Sequence, residues 1–416
     1  MKNGFLIAAP MSGSGKTTIA RGLMALFTGQ GLRVQPFKCG PDYIDTKFHA
    51  AVCGRPSVNL DTFMATTDHV AELFEEYTRD ADVAVVEGMM GLFDGYDGER
   101  GSSAEVARVL GLPVVLVVDA SSMGFSVAPL LQGFVGFRRD VSVAGVVFNK
   151  VGSERHLELL RRSCEEVGVS CLGYVPRKAS LVQGSRYLGL DFTERMAKDE
   201  LVRQLEETVD WRQLLTLQSA AAWKPDRKGW KAAVGGTVLV AKSEESFSFC
   251  YQELLDRFET VRFFNPEREV PSLEGVDLLY LPGGYPEKHL DALAAAEATR
   301  EAVRAFAERG GRVRAECGGM MYLCRSIVDD TGSYPMCGVL PYTITARKED
   351  RRLSLGYRRF VLDGREYRGH EFHYTQFLGD VPSSVCQVQD AQGRPVGTPV
   401  IRYKNVLASY THLYQL

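Results

Sequence analysis

Two short segments of this sequence carry residues that could do chemistry of different kinds. Residues 10–18, PMSGSGKTT, combine closely spaced glycines with Lys16 and two threonines. In such a loop, backbone N–H groups approach phosphate oxygens, the lysine neutralises phosphate charge, and a hydroxyl faces Mg²⁺. Residues 315–319, AECGG, place Cys317 before a glycine pair, and His412 follows in SYTH. The sequence therefore predicts phosphate chemistry and thiolate chemistry in one chain.

The first segment is predicted to bind ATP. An apolar run before it and a helical pattern over 17–27 indicate a strand, a loop and a helix whose N-terminus favours an anion. Pro10 replaces the first glycine of the usual motif, and Met11 replaces the extra lysine of ParA/MinD-type loops, which argues against a partitioning ATPase. The predicted ATP-binding residues are Gly13, Ser14, Gly15, Lys16, Thr17, Thr18 and Asn149.

Acidic residues in the same half are candidates for a metal site. Glu87 directly follows a buried apolar run, where the carboxylate partner of a phosphate-bound Mg²⁺ belongs. Asp42 and Asp45 lie in GPDYID. We expect Thr17, Asp45 and Glu87 to hold Mg²⁺. A turn-forming role is an equal alternative for Asp42 and Asp45 taken alone, and a helix cap is a weaker alternative for Glu87.

Cys317 is predicted to be a nucleophile on a sharp turn from a strand to a helix. The glycines permit the bend, and the helix N-terminus is expected to lower the pKa of the thiol. The backbone N–H of Gly318, with that of Gly284 in PGGYPE, would form an oxyanion site. His412 is the expected general base. The alternative for Cys317 is a small buried apolar side chain, which we assign to the other eight cysteines.

Two series of elements are expected to position these residues. Apolar runs alternate with helical patterns, as in a parallel sheet that is covered on both faces. The predicted fold is α/β: a doubly wound parallel sheet with a phosphate loop, then a second α/β domain. We expect the first domain at 1–215, a linker at 216–235 and the second domain at 236–416. The predicted strands are 4–9, 83–86, 114–118, 143–148, 237–240, 277–281 and 311–315, and the predicted helices include 17–27, 102–110 and 154–167.

Composition excludes several function classes. With 45% hydrophobic and 24% charged residues and a net charge of -3, the chain is an ordinary globular protein with no basic surface for nucleic acid. Nine cysteines without a C-x-x-C pair disfavour a disulfide framework or a structural zinc site. No apolar run approaches the ~20 residues that cross a bilayer, and no signal peptide is recognised. The expected location is the cytoplasm. His370 and His373 are assigned hydrogen-bonding roles rather than metal binding.

Taken together, the motifs resemble those of the cobyrinate a,c-diamide synthases of cobalamin biosynthesis, from one end of the chain to the other. The resemblance implies an N-terminal ATP-dependent synthetase domain similar to dethiobiotin synthetase and a C-terminal class I glutaminase domain of the triad type. The matching segments are 12–17, 40–45, 59–61, 87–91, 282–287, 315–319, 369–374 and 408–412.

The resemblance implies amidation with ATP and Mg²⁺ as cofactors. Cys317 would attack glutamine, and the ammonia released would displace phosphate from an acyl phosphate on the a- and then the c-acetate of cobyrinate. Asp42, Tyr43 and Asp45 are assigned to this tetrapyrrole substrate. The expected partners are small molecules, with no nucleic acid and no membrane, and a homodimer is considered as the assembly.

Two positions depart from the family pattern. Tyr414 stands where many class I glutaminases have a glutamate, so a triad and a Cys–His dyad are both open. Tyr187, in RYLGL, stands where the family usually has a histidine. The nearest alternative is the same reaction on Ni-sirohydrochlorin in coenzyme F430 synthesis, and cobyric acid synthase is less favoured. A non-catalytic ATP-driven adaptor is also less favoured, because Cys317, His412 and Glu87 are all present.

Overall fold

A computed structural model describes residues 3–178, 198–220 and 235–414. The RYLGL segment and most of the predicted linker, residues 221–234, lie outside the described residues. The chain divides into two compact units. The first unit comprises Met1–Thr62 and Thr66–Lys228, and the second comprises Phe63–Ala65 and Gly229–Leu416.

The first unit is an α/β structure, as predicted. Its strands are β1 (Gly4–Ala8), β2 (Val34–Cys39), β3 (Val58–Leu60), β4 (Val83–Glu87), β5 (Val114–Asp119), β6 (Val143–Val151) and β7 (Cys171–Pro176). Its helices are α1 (Lys16–Gly29), α2 (Ile44–Cys53), α3 (Thr67–Tyr77), α4 (Ser103–Leu110), α5 (Val127–Gly136), α6 (Glu154–Val167), α7 (Lys198–Thr208) and α8 (Trp211–Leu214). The predicted strands and helices of this half therefore coincide with observed elements to within a few residues.

The strands of this unit, as far as the chain is described, form one seven-stranded parallel sheet in the order β3-β2-β4-β1-β5-β6-β7. Every residue of β1 and β4 is buried, which explains their continuous apolar sequences. After β1, the chain first adds strands on the β3 side of the sheet and later adds strands on the β7 side. The direction in which strands are added therefore reverses beside β1. Ligands of such sheets bind at the carboxyl ends of the strands near this reversal. The phosphate loop follows β1 at that edge.

The helix boundaries of this unit follow from local sequence. The hydroxyls of Ser102 and Ser153 accept hydrogen bonds from backbone N–H groups in the first turns of α4 and α6. Gly111 and Gly168 end these helices in the left-handed region, which glycine adopts without strain. Capping therefore fixes both ends of the two helices.

The second unit is a mixed α/β structure. Its strands are β8 (Thr237–Ala241), β9 (Thr260–Phe264), β10 (Leu278–Leu281), β11 (Val313–Glu316), β12 (Ser326–Val328), β13 (Ser333–Pro335), β14 (Thr343–Thr345), β15 (Ser354–Leu362), β16 (Arg365–His373), β17 (Gln376–Phe377), β18 (Val400–Tyr403), β19 (Val406–Ser409) and β20 (His412–Leu413). Its helices are α9 (Gln252–Leu255), α10 (Leu290–Ala295), α11 (Glu297–Glu308) and α12 (Gly318–Leu323), with 3-10 turns at Pro286–Lys288 and Lys348–Asp350.

Three sheets organise the described part of this second unit. The largest has six strands in the order β18-β19-β11-β10-β8-β9, and only the β18–β19 pair is antiparallel. A four-stranded sheet has the order β13-β12-β14-β17, and a three-stranded antiparallel sheet has the order β15-β16-β20. The third sheet contains His412, and the carbonyl of Phe372 in the same sheet lies 4.0 Å from the sulfur of Cys317, which follows β11.

The core of the second unit contains the turn with Cys317. This residue packs in one buried cluster with Met320, Met321 and Leu281. The cysteine therefore sits on a rigid element rather than on a surface loop. Over the described ranges of the whole chain, no helix is both long and apolar enough to cross a membrane.

Candidate active sites

The phosphate loop is shaped by two glycines and by one side chain from β6. Gly13 and Gly15 have φ values of 79° and 96°, in the left-handed region that glycine adopts readily. Asn149 Nδ2 donates to the carbonyl of Ser14 at 2.9 Å. A Cβ atom on Gly15 would lie 2.1 Å from the same nitrogen. The structure therefore places Asn149 against the loop with which the sequence analysis grouped it.

The side chains at the start of α1 reach toward the end of β4. Lys16 Nζ donates to the carbonyl of Met90 at 2.5 Å. Thr17 Oγ1 donates to Glu87 Oε1 at 2.6 Å. Thr18 follows in the first turn of the helix. The lysine and the hydroxyl that a phosphate loop needs thus lie beside the predicted acidic residue.

A buried lysine that sequence reasoning missed lies at the centre of this site. Lys38, at 2% exposure, donates from Nζ to Asp45 Oδ2 and to Glu87 Oε1, each at 2.7 Å. A buried charge is stable only when it is paired. Burial by itself raises the pKa of Glu87, but Lys38 and His49 outweigh it and hold that pKa well below its usual value. The available signal in the sequence was a lysine in the segment that forms β2, a strand in which every residue is buried.

Strand register explains why these residues meet. Glu87 of β4 is aligned with Ile7 of β1 on one side and with Lys38 of β2 on the other. Lys38 is in turn aligned with Asn59 of β3. Because all of these strands are parallel, the alignment brings their carboxyl ends to one edge, where the phosphate loop begins.

Of the three predicted substrate residues, Asp45 contacts Lys38 in the described site, whereas Asp42 and Tyr43 lie at the turn before α2. Asp42 Oδ1 accepts the backbone N–H groups of Ile44 and Asp45, each at 2.9 Å, and Asn59 Nδ2 donates to the carbonyl of Asp42. This oxygen of Asp42 thus forms a turn, the alternative considered for it. Tyr43 is buried at the start of α2. Asp45 instead faces Lys38, within the site.

Cys317 adopts an uncommon backbone conformation between β11 and α12. Its φ of 45° and ψ of -109° lie in a sparsely populated region, at a cost of about 1–3 kcal/mol for a residue with a side chain. The backbone N–H of Cys317 donates to the carbonyl of Ser409 at 2.8 Å, and the register aligns Glu316 with Ser409. The fold therefore has a turn from a strand to a helix at Cys317, as predicted, and the strain at this residue is an additional finding.

The two predicted oxyanion donors lie close to each other. A Cβ atom on Gly318 would lie 3.1 Å from the backbone nitrogen of Gly284 and 2.7 Å from Cδ of Pro286. A Cβ atom on Gly319 would lie 2.0 Å from the carbonyl oxygen of Leu281. Only glycines allow this close approach. The backbone N–H of Gly318 also acts to lower the pKa of the Cys317 thiol.

His412 lies far from these glycines in the sequence but packs against Gly283, next to Gly284. It follows Ser409 by three residues and is aligned with His370 across the β16–β20 pair. Its ring lies directly over Gly283, where a Cβ atom would be 2.0 Å from His412 Cε1. Burial lowers the pKa of His412 to about 3, helped by His370 and His373. The imidazole is therefore neutral near pH 7 and able to accept a proton.

The expected lowering of the Cys317 pKa is wrong for this structure. Burial raises the pKa of the thiol, the charge of Glu287 raises it further, and the hydrogen bond from Gly318 opposes them only in part. Because the pKa of His412 is lowered at the same time, a neutral thiol and a neutral imidazole are favoured over a thiolate and an imidazolium.

The environment of His412 includes a carboxylate that sequence reasoning did not assign. Glu371 is fully buried, and its charge raises the pKa of His412. It accepts hydrogen bonds from Arg358 Nε and His373 Nε2, each at 2.9 Å. Burial opposes ionisation of Glu371, but His373 and Arg358 lower its pKa to about 2. Tyr414, where a glutamate is common, packs edge-on against Tyr251 with ring centroids 4.9 Å apart. His373 has the predicted hydrogen-bonding role.

Comparison with known proteins matches both units. The model of the CobQ/CobB/MinD/ParA nucleotide binding domain matches residues 5–186. The model of the CobB/CobQ-like glutamine amidotransferase domain matches residues 243–416. Together the two models span most of the chain, in the order that the two sites occupy.

Several relatives match this chain over nearly its full length. The hydrogenobyrinate a,c-diamide synthase of Brucella abortus is 38% identical over 434 residues, covering 99% of this chain and 98% of the relative. That of Rhodobacter capsulatus is 38% identical over 432 residues with the same coverage. The cobyrinate a,c-diamide synthase of Caldanaerobacter subterraneus is 36% identical over 430 residues, covering 98% of this chain and 94% of the relative. The chain therefore belongs to the cobyrinate a,c-diamide synthase family and is a glutamine-hydrolysing carbon–nitrogen ligase.

Proposed function

We propose that this enzyme amidates the a- and c-acetate carboxylates of cobyrinate, or of its metal-free counterpart, with ATP and with ammonia from glutamine. The observation that carries the proposal is one chain with two complete sets of side chains. One set joins a phosphate loop to Lys38, Asp45 and Glu87. The other comprises the strained Cys317 turn and His412, whose ring packs against Gly283, next to the predicted oxyanion donor Gly284. The names of the full-length relatives support the choice of substrate.

In the glutaminase half, the neutral thiol and the neutral imidazole are the starting states of the general-base mechanism that we assign to this enzyme. The proton of the Cys317 thiol passes to neutral His412 as the sulfur attacks the amide carbon of glutamine. The N–H groups of Gly284 and Gly318 stabilise the oxyanion that develops. His412 then returns the proton to the leaving nitrogen, which departs as ammonia. Water hydrolyses the thioester and releases glutamate.

In the synthetase half, the loop residues hold the phosphates and the acidic residues fit a magnesium ion. Thr17, Asp45 and Glu87 offer a hydroxyl and two carboxylates, the hard oxygen donors that Mg²⁺ prefers. When bound, the ion neutralises charge on the transferring phosphoryl group. Lys16 and Lys38 supply cations to the same region. The substrate carboxylate, a poor electrophile, is thereby phosphorylated, and ammonia displaces phosphate from the acyl phosphate.

The division of labour is tested by two substitutions with opposite effects. Cys317→Ser removes the thiolate, so amidation with glutamine is lost while amidation with ammonium at alkaline pH is kept. Lys16→Ala removes a charge partner of the phosphoryl group, so synthesis is lost with either nitrogen source while glutamine is still hydrolysed slowly. Product amides and glutamate are measured separately. A Cys317→Ser enzyme that fails with ammonium, or a Lys16→Ala enzyme with full synthesis, would overturn the proposal.

A further inference from the structure

His49 is a fully buried histidine whose side chain contacts one carboxylate oxygen of Glu87. The side chain comes from α2, and its Nε2 lies 2.7 Å from Glu87 Oε2. The other oxygen, Oε1, accepts from Thr17 at 2.6 Å and from Lys38 at 2.7 Å. One oxygen of this carboxylate thus contacts Thr17 and Lys38, and the other contacts His49.

The ring of His49 is fixed at two points. An ionised carboxylate oxygen can only accept a hydrogen bond, so the proton shared with Glu87 resides on Nε2 of His49. The opposite ring nitrogen, Nδ1, lies 3.3 Å from Ser57 Oγ, just before β3. A histidine held at both nitrogens has a defined ring orientation, as seen for histidines that a second partner orients.

We propose that His49 is a positioning residue of the synthetase site: it fixes the carboxylate of Glu87 so that Oε1 faces Thr17 and Lys38. The terminal torsion of a glutamate is broad and roughly two-fold, so its carboxylate turns easily unless one oxygen is held. A hydrogen-bond partner on one oxygen of a functional carboxylate fixes the orientation of the other oxygen. The inference rests on the proposed function of the synthetase half.

A matched pair of substitutions separates positioning from mere filling of space. In His49→Gln the side-chain amide nitrogen takes the place of Nε2 and can still donate to Glu87. In His49→Asn the amide nitrogen takes the place of Nδ1, near Ser57, and does not reach Glu87. Both replacements are polar and smaller than histidine. His156→Asn is the control, since His156 of α6 is bonded to the carbonyl of Met123, outside the site.

The readouts are kcat for ammonium-dependent amidation and the Kd of ATP measured by calorimetry without added Mg²⁺. We expect kcat of His49→Asn to fall on the order of 10–100-fold while the Kd of ATP stays at the wild-type value. His49→Gln and His156→Asn should keep kcat close to wild type. Equal kcat for His49→Asn and wild type would overturn the inference, as would a His49→Gln enzyme as slow as His49→Asn. Absence of ATP-dependent synthesis in the wild-type enzyme would instead contradict the proposed function.

A measurement on the unmodified protein keeps the inference testable if His49→Asn does not fold. With ¹⁵N-labelled histidine, NMR reports which ring nitrogen of His49 carries a proton, and His49→Gln assigns the signal by its loss. We expect a proton on Nε2 that exchanges slowly with water. An Nε2 without a proton would overturn the inference.

Discussion

At the scale of single residues, the two sites keep opposite charge states. In the first unit, Lys38 and His49 keep Glu87 ionised in spite of its burial, so the site is built from fixed charges. In the second unit, burial raises the pKa of Cys317 and lowers that of His412, so the proposed nucleophile and the proposed base are both neutral at rest. Charges there develop only when the proton moves, as general-base catalysis requires.

This difference predicts how Cys317 reacts with an alkylating agent. A raised thiol pKa means that little thiolate is present near neutral pH, and the lowered pKa of His412 means that no imidazolium stabilises it. The rate of carbamidomethylation of the Cys317 peptide by iodoacetamide should therefore rise about tenfold for each pH unit between about pH 6 and pH 8. Cys317→Ser identifies the peptide in the mass spectrum. A rate that is high and independent of pH in this range would indicate a thiolate–imidazolium pair at rest.

At the scale of elements, both sites are made where parallel strands end. The phosphate loop leaves β1, and Lys38 and Glu87 come from the ends of the adjacent β2 and β4. Cys317 leaves β11, and its backbone is tied to Ser409 at the end of the neighbouring β19. The positions of these side chains are thus set by strand register, and the glycines beside them leave room for the approach.

The close packing of His412 against Gly283 predicts a selective loss of glutamine use. In Gly283→Ala the new methyl group would lie 2.0 Å from His412 Cε1, so the imidazole must move. Displacing a catalytic group by about 1 Å costs on the order of 100-fold in rate, and we expect that loss in glutamine-dependent synthesis. Ammonium-dependent synthesis should be unchanged. The control is Gly332→Ala, whose Cβ would meet its nearest neighbour at 3.9 Å. Full glutamine use by Gly283→Ala would show that the ring of His412 is not placed as described.

Much of this arrangement could be predicted from the sequence, and the remainder has a common physical cause. Contiguous motifs give the phosphate loop and Cys317, because a strand, a turn and a helix follow each other along the chain. Lys38, His49 and Glu371 were missed as functional residues because each has a partner on another strand, Glu87 for the first two and Arg358 for Glu371, and burial is visible only after folding. The predicted lowering of the Cys317 pKa was wrong for the same reason. The effect of a helix dipole can be expected from the local sequence, whereas burial depends on the whole fold.

At the scale of the whole molecule, the chain has two units with separate cores, and the proposed function assigns one half-reaction to each. The family models match one unit each, and the full-length relatives span both. Under the proposed function, glutamine hydrolysis and acyl activation should therefore be altered one at a time by substitution, while the complete reaction requires both. Only an assay of the complete reaction examines the chain as one enzyme.

The most direct test of this account follows the nitrogen from glutamine into the product. The enzyme is incubated with ATP, Mg²⁺ and amide-¹⁵N glutamine, in parallel with cobyrinate, hydrogenobyrinate and Ni-sirohydrochlorin, and the products are analysed by mass spectrometry. The account predicts two ¹⁵N-labelled amides per corrin macrocycle, formed only when ATP is present. Corrin substrates left unamidated, or amides formed without ATP, would contradict it, and labelling of Ni-sirohydrochlorin alone would assign the enzyme to the nickel substrate instead.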